Sequence, residues 1–142
     1  MSTYISVDLQ ARIRTRFANC CAYCQTAEAL TVTTFEFEHI QPLSANGQTI
    51  FENLCLACPS CNRHKATRQT AIDPVTDLET PLFHPQQQKW TDHFAWNEDA
   101  TEITGLTATG RATIQALKMN RSHLTRVRRM WVYLGEHPPS SD

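Results

Sequence analysis

The sequence lacks any long apolar run, so nothing in it reads as a membrane span. Its opening, Met1 to Asp8, has no basic stretch followed by an apolar one and does not read as a secretory leader. An overall excess of positive charge is also missing. The formal net charge is −1 over 142 residues, which excludes a generally basic coat for polyanions. Acids are missing only locally. Between Arg111 and Arg129 the charged residues are Arg111, Lys118, Arg121, Arg126, Arg128 and Arg129, whereas acids dominate Asp73 to Glu102. Such a charge imbalance hints at a polyanionic partner on one face. No internal repeat stands out beyond two short cysteine motifs. The length fits one domain, or one small domain with an extension.

What the chain does have is six cysteines, four of them in two Cys-x-x-Cys pairs, Cys21/Cys24 and Cys58/Cys61. Without a leader, the cysteines are expected in a reducing cytoplasm, where such pairs read as metal ligands before disulfides. Two residues between cysteines let both sulfurs reach one ion, and two such pairs predict a four-thiolate structural Zn²⁺. Cys55 and Cys58 also have this spacing. The pair Cys58/Cys61 is preferred because it mirrors the first and leaves Cys55 as a core residue of an apolar helix. Cys20 reads as a core residue or a partly exposed thiol. A thioredoxin-like redox role is disfavoured, because no βαβ pattern surrounds Cys21/Cys24.

Periodicity predicts a helix over 7–18, with Leu9, Ile13 and Phe17 on one stripe and Asp8 near its start. A strand is expected within Ala29 to Ile40, turning Glu38 and His39 to opposite sides. Short helices are expected over Phe51 to Ala57 and from about Asn62 to Thr70. Ile72 to Gln88, with three prolines, reads as an extended connector packed by Leu78, Leu82 and Phe83. Two strands, Phe94 to Trp96 and Thr101 to Leu106, would flank a polar turn. A helix beginning near Thr109 or Gly110 would follow, then one over Ser122 to Leu134 with Ser122 as its N-cap. The tail from Pro138 to Asp142 is expected to fray.

Polar residues cluster between and after the knuckles. A carboxylate and an amide oxygen suit Mg²⁺ or a similar ion, which Glu38 and Asn62 can supply. His39 is placed to take a proton from water, and Asn53 to orient a backbone segment or the imidazole. A zinc nucleobase deaminase needs His-x-Glu followed by Pro-Cys-x-x-Cys. Here Ile40 and Gln41 follow His39, and Pro59 lies inside the knuckle, so that class is set aside.

The run Cys21-x-x-Cys24, Phe37-Glu38-His39-Ile40-x-Pro42-Leu43-Ser44, Gly47, Glu52-Asn53-Leu54 and Cys58-x-x-Cys61-Asn62-x-x-Lys65 resembles the zinc-stapled branch of the HNH nucleases. The resemblance covers about Cys21 to Arg68. It implies an α+β fold: a small ββα-metal core with structural zinc, flanked by an N-terminal helix and a C-terminal β-hairpin plus two helices. The core would be residues 1–72, and residues 73–142 an extension packed on it with possible nucleic-acid contacts. It further implies a metal-dependent endonuclease that hydrolyses phosphodiesters in DNA, with RNA as a second candidate partner. In those roles His39 is the base and Asn53 its support. Glu38 and Asn62 are ligands of a catalytic ion such as Mg²⁺, Mn²⁺ or Ni²⁺. The acid is more often Asp in this family, and His64 is a second candidate for the final position; Asn62 is preferred because it abuts the knuckle. Arg63, Lys65, Arg121 and Arg128 are the expected nucleic-acid contacts. The rival function is a zinc-stabilised nucleic-acid-binding module without catalysis. A looser likeness to stand-alone bacterial HNH proteins covers Leu82-Phe83-His84-Pro85, Trp90-x-x-His93-Phe94-x-Trp96, Gly105-Leu106-Thr107 and Gly110-Arg111-Ala112-Thr113. His84, His93, His123 and His137 read as packing or surface residues.

Overall fold

The computed structural model describes residues 4–140. Of the stretches read for a leader and a frayed tail, Met1 to Thr3 and Ser141 to Asp142 lie outside it. The architecture is α+β. Helix α1, Val7–Arg16, is capped by Ser6, whose Oγ accepts from the Leu9 amide at 3.1 Å; Asp8 sits in its first turn. Ile13 on its apolar stripe is fully buried. Strand β1, Glu36–His39, is shorter than the periodicity suggests, and Glu28–Leu30 forms a 3₁₀ turn before it.

Phe51 to Ala57 is not a helix. Phe51–Asn53 is a 3₁₀ turn, and Leu54–Ala57 is strand β2, antiparallel to β1 with Glu38 opposite Cys55. All four residues of β2 are buried, so the run is apolar on both faces. Such a run carries no alternation by which a strand differs from a helix. Helix α2, Pro59–Lys65, begins inside the second knuckle, with Pro59 in its first turn and Cys58 as N-cap. It ends at Ala66, whose φ is 52°.

The expected connector is a hairpin of β3, Thr70–Ile72, and β4, Glu79–Pro81. Leu82 and Phe83 are buried, but Leu78, at the hairpin turn, is 65% exposed. Helix α3, Trp90–His93, precedes the hairpin of β5, Phe94–Trp96, and β6, Ile103–Gly105. Helices α4, Ala108–Leu117, and α5, Ser122–Tyr133, complete the fold. Thr107 caps α4 through its Oγ1; at α5 the cap position is Arg121 rather than Ser122, with no side-chain cap. In the tail, His137 is buried, with its ring 4.4 Å from that of Trp96.

One apolar cluster runs from Ile13 and β2 through Leu82, Phe83 and Phe94 to Leu117 and Leu124. Polar ties reinforce it. Trp90 Nε1 donates to the Tyr23 carbonyl at 2.8 Å, and Gln86 Nε2 to the carbonyls of Phe51 and Leu54 at 2.9 and 3.0 Å. These three bonds anchor the later half of the chain against the first knuckle and the start of β2.

Candidate active site and metal centre

The first knuckle is a tight turn. Cys21 N donates to the Thr26 carbonyl at 2.8 Å, Gln25 N to the Cys21 carbonyl at 3.0 Å, and Gln25 turns at φ 65°. In the second knuckle Cys58 Sγ accepts from the Cys61 amide at 3.4 Å, so a sulfur performs the N-cap role. The Sγ atoms of Cys21, Cys24, Cys58 and Cys61 all lie within 4.8 Å of one another, and all four residues are buried. A tetrahedral ion with Zn–S bonds of about 2.3 Å spaces its sulfurs about 3.8 Å apart. Cys24 and Cys58 are 3.8 Å apart. The cluster therefore fits a structural metal such as zinc.

Hydrogen bonds from Cys21 and its neighbours hold the Cys24 thiol well below its ordinary value, while burial pushes Cys21 well above it. Four crowded sulfurs cannot all ionise without a cation among them. The other two cysteines stay outside the cluster. Cys20 Sγ contacts the Ala18 carbonyl at 3.5 Å, and Cys55 lies in β2 with Sγ 3.4 Å from Glu38 Oε1.

Beside the cluster, β1 turns Glu36 and Glu38 toward α2. Residues i and i+2 of a strand share a face, and residues i and i+3 of a helix share one too. Two rungs result. Asn62 Nδ2 donates to Glu36 Oε1 at 2.7 Å, and Lys65 Nζ lies 3.3 Å from Glu38 Oε2. Lys65 also donates to the Ile40 carbonyl at 2.9 Å, and Tyr23 Oη donates to Glu38 Oε1 at 2.7 Å. Glu38 is 5% exposed and Lys65 1%. Burial pushes the Glu38 carboxyl up, against the pull of the Lys65 ammonium.

Lys65 is thus an internal counter-ion, which corrects its expected role as a nucleic-acid contact. Its distance along α2 brings it over Glu38 instead of into solvent. For a hard divalent ion the seam offers the carboxylates of Glu36 and Glu38 and the Asn62 amide oxygen, whose nitrogen is the end spent on Glu36. The donor set fits such an ion in kind. In this arrangement Lys65 supplies the cation at Glu38.

His39 points to the other side of β1. Its Nε2 is 2.9 Å from Thr49 Oγ1, it is half-buried, and burial holds the imidazole below its ordinary value. Burial favours the neutral ring, and the tautomer that donates from Nε2 to Thr49 Oγ1 leaves Nδ1 to take a proton. Thr49 is brought there by the loop that Asn53 clamps. Asn53 Oδ1 accepts from Gln41 N at 2.8 Å, while Nδ2 donates to the carbonyls of Gln41 and Gln48 at 3.0 and 2.9 Å. Gly47 closes the loop. A Cβ there would sit 1.8 Å from the Gln41 carbonyl oxygen, so only glycine permits the approach. Asn53 hence orients backbone, not the imidazole.

Of the expected nucleic-acid contacts, Arg63 is exposed. Arg121 is half-buried, bonded to the Lys118 carbonyl at 3.0 Å and 4.0 Å from Cys58 Sγ. Arg128 is fully buried, which corrects its assignment. It donates to the carbonyls of Thr101 and Met119 at 3.0 and 2.8 Å and lies over the Trp96 ring, 5.1 Å from its centre. The β5–β6 hairpin covers a border of α5 that a helical wheel leaves open. The Nδ1 of His64 is 2.8 Å from the Ser60 carbonyl oxygen.

Sequence reasoning passed over Tyr23, Glu36 and Thr49. The i, i+3 spacing of Asn62 and Lys65 was the available sign that both face β1.

With this geometry described, comparison with protein families adds one observation. Residues 21–68, about a third of the chain, match the HNH endonuclease family model. The chain carries an HNH domain. The match begins at the first cysteine of the four-thiol cluster and ends just after α2, so it spans both knuckles, the β1–β2 hairpin and the helix. No curated protein and no solved structure matches the chain. No helix among the described residues is long and apolar enough to cross a membrane.

Proposed function

We propose that the protein is a metal-dependent endonuclease that hydrolyses phosphodiester bonds in DNA. The observation that carries this reading is His39: a neutral imidazole held by Thr49 at one nitrogen, on the strand whose opposite face bears Glu38. In the proposed reaction His39 Nδ1 takes a proton from water as the water oxygen bonds to phosphorus, and the bond from phosphorus to the leaving oxygen breaks. Asn53 acts through the loop, keeping Thr49 against His39, and is a positioning residue. Glu38 and Asn62 would hold a divalent ion such as Mg²⁺, Mn²⁺ or Ni²⁺, which stabilises negative charge on the phosphate. The zinc cluster keeps β2 and α2 in place. Residues 1–72 form the nuclease core in this reading and residues 73–142 the extension. Arg63, with Arg121, supplies phosphate contacts, and six reduced cysteines suit the cytoplasm.

The test is cleavage of single-stranded, duplex and branched DNA, and of RNA, with each divalent ion or with chelator. His39→Ala should retain zinc and nucleic-acid binding while losing about 10²–10⁴-fold in cleavage. The acid limb of kcat/KM should lie below the ordinary histidine value near 6.5, because the base must be neutral and its pKa is lowered. Undiminished cutting by His39→Ala overturns the reading. One observation favours the rival, a zinc-stabilised nucleic-acid-binding module: Glu38 is already neutralised by buried Lys65. Mn²⁺ binding that Glu38→Gln leaves unchanged would support that rival.

A further inference from the structure

The C-terminal motif residues are nearly all spent on packing. Trp90 bonds the Tyr23 carbonyl, and His93 Nδ1 lies 2.7 Å from Thr107 Oγ1. Gly110 passes so close to His93 that a Cβ would fall 2.1 Å from its carbonyl oxygen. Arg111 holds Asp73 with two bonds of 2.9 Å, and Thr113 Oγ1 accepts from the Phe83 amide at 2.9 Å. His84 is the exception. It lines a cavity of about 480 Å³ whose walls run from Ile40 and Gln41, the residues that follow His39 in the chain, to the segment after β4.

The chemistry of this cavity is specific. Gln87 N donates to His84 Nδ1 at 3.2 Å, so the ring proton resides on Nε2, a donor. Burial, with Lys65 nearby, holds the imidazole below its ordinary value and keeps it neutral. Gln88 Oε1 accepts from His84 N at 2.8 Å, which leaves the Gln88 NH₂ group as a second donor. Gln41 Nε2 donates to the Ala45 carbonyl at 2.6 Å, which leaves Gln41 Oε1 as an acceptor. Leu82 and Phe83 contribute apolar lining. The lining cation, Lys65, is committed to Glu38 and the Ile40 carbonyl. Phosphate oxygens only accept, so they find no match in Gln41 Oε1 and no free cation. The edge of a nucleobase carries donors and acceptors together, and glutamine amides are suited to it.

We propose that this cavity takes one unpaired nucleobase of the strand cut at His39, with His84, Gln88 and Gln41 reading its edge. The inference rests on the nuclease reading, and it deepens it by naming the substrate class: nucleic acid with a base outside the duplex stack. A base enclosed by such a cavity must leave its stack, which costs least where it is already unpaired.

Fluorescence anisotropy tests this with His39→Ala protein, which should bind without cutting. The probes are a short single-stranded DNA of mixed sequence and the same backbone with every base removed. The base-bearing strand should bind at least about fivefold tighter through these contacts. Adding His84→Ala or Gln88→Ala should bring the ratio toward one, with affinity for the abasic strand and the salt slope unchanged. His84→Gln keeps an N–H donor and should restore part of the ratio. If His84→Ala loses zinc, and so its fold, Gln41→Leu on the opposite side makes the same test. A ratio that these substitutions leave unchanged, or an equal loss for both strands, overturns the pocket while leaving the nuclease reading intact. Absence of binding to either strand, together with no cleavage by the native protein, overturns both.

Discussion

Residues 21–68 and residues 73–140 bury polar groups by opposite means. In the first stretch four thiols converge where only a cation lets them ionise together, beside a carboxylate met by Lys65 and the Tyr23 hydroxyl. In the second, buried charges are satisfied within the chain. Asp73 accepts two bonds from Arg111 and others from Val75, Thr76 N and Thr76 Oγ1. Arg128 spends its guanidinium on backbone carbonyls and the Asn120 side chain, with Nε alone lacking a partner. The stretch that holds the candidate active site thus offers a metal cluster as its clip, whereas the other is closed by its own side chains. The lesson concerns function: a carboxylate and an imidazole on a two-stranded hairpin need an external clip to stay in register, because an isolated hairpin is marginal in water.

Removing the metal is the strongest way to sharpen this contrast. Structural zinc contributes on the order of 10 kcal/mol or more in small domains. Chelation, or Cys58→Ser, should abolish hydrogen-exchange protection in β1, β2 and α2 first. Protection in α4 and α5 should decline less. If both halves lose protection together with the zinc, the contrast fails.

Lys65→Met comes next. It leaves the Glu38 carboxylate buried with only Tyr23 and Cys55 beside it, and breaking such a pair costs about 3–5 kcal/mol. Urea denaturation at pH 7 measures this, and adding Glu38→Gln should recover part of the loss. A near-neutral Lys65→Met would mean that solvent reaches Glu38 and that the hairpin is not held by the ion pair.

A smaller effect is expected from Asp73. The Arg111 guanidinium holds its carboxyl well below the usual range. A depressed native pKa contributes stability that is present above the unfolded value, near 3.9, and lost as pH falls through the native value. Asp73→Asn should therefore be less stable than the parent at pH 7, and the gap should close in acid. A gap that is the same at pH 7 and at pH 2 would show that hydrogen-bond geometry, not charge, stabilises this region.

The smallest expected change is at the surface. Arg63→Ala should lower the log–log salt slope of DNA binding by about one, because one phosphate contact is lost. Arg128→Met should leave that slope alone whatever it does to stability. Equal slopes for Arg63→Ala and the parent would remove Arg63 from the interface.

Several features were legible in the chain because they are local. Cys-x-x-Cys spacing dictated which sulfurs meet, and the alternation across β1 put Glu38 and His39 on opposite sides. The β5–β6 hairpin and helix α5 followed from a polar turn and a 3.6-residue stripe. The errors share a cause. Leu54–Ala57 carries no period because both its faces are covered. Leu78 reads as a packing residue because an apolar side chain in a proline-rich stretch gives no sign that it tips a hairpin. Lys65 and Arg128 were assigned to the surface because they are charged.

By itself, then, the sequence determined the thiolate cluster, strand β1 and the helix after the second knuckle, and the identity of His39 as the candidate base. Each depends on spacings of a few residues or on a motif whose parts keep their order. Only the tertiary structure decided which charges face nucleic acid and which are internal. Lys65 meets Glu38 because α2 crosses β1, and Arg128 meets the end of α4 because a hairpin closes over α5. Whether a charged side chain is solvated or paired depends on what covers it. In this fold that cover comes from segments remote in the chain: Lys65 donates to the carbonyl of Ile40, and Arg128 to that of Thr101.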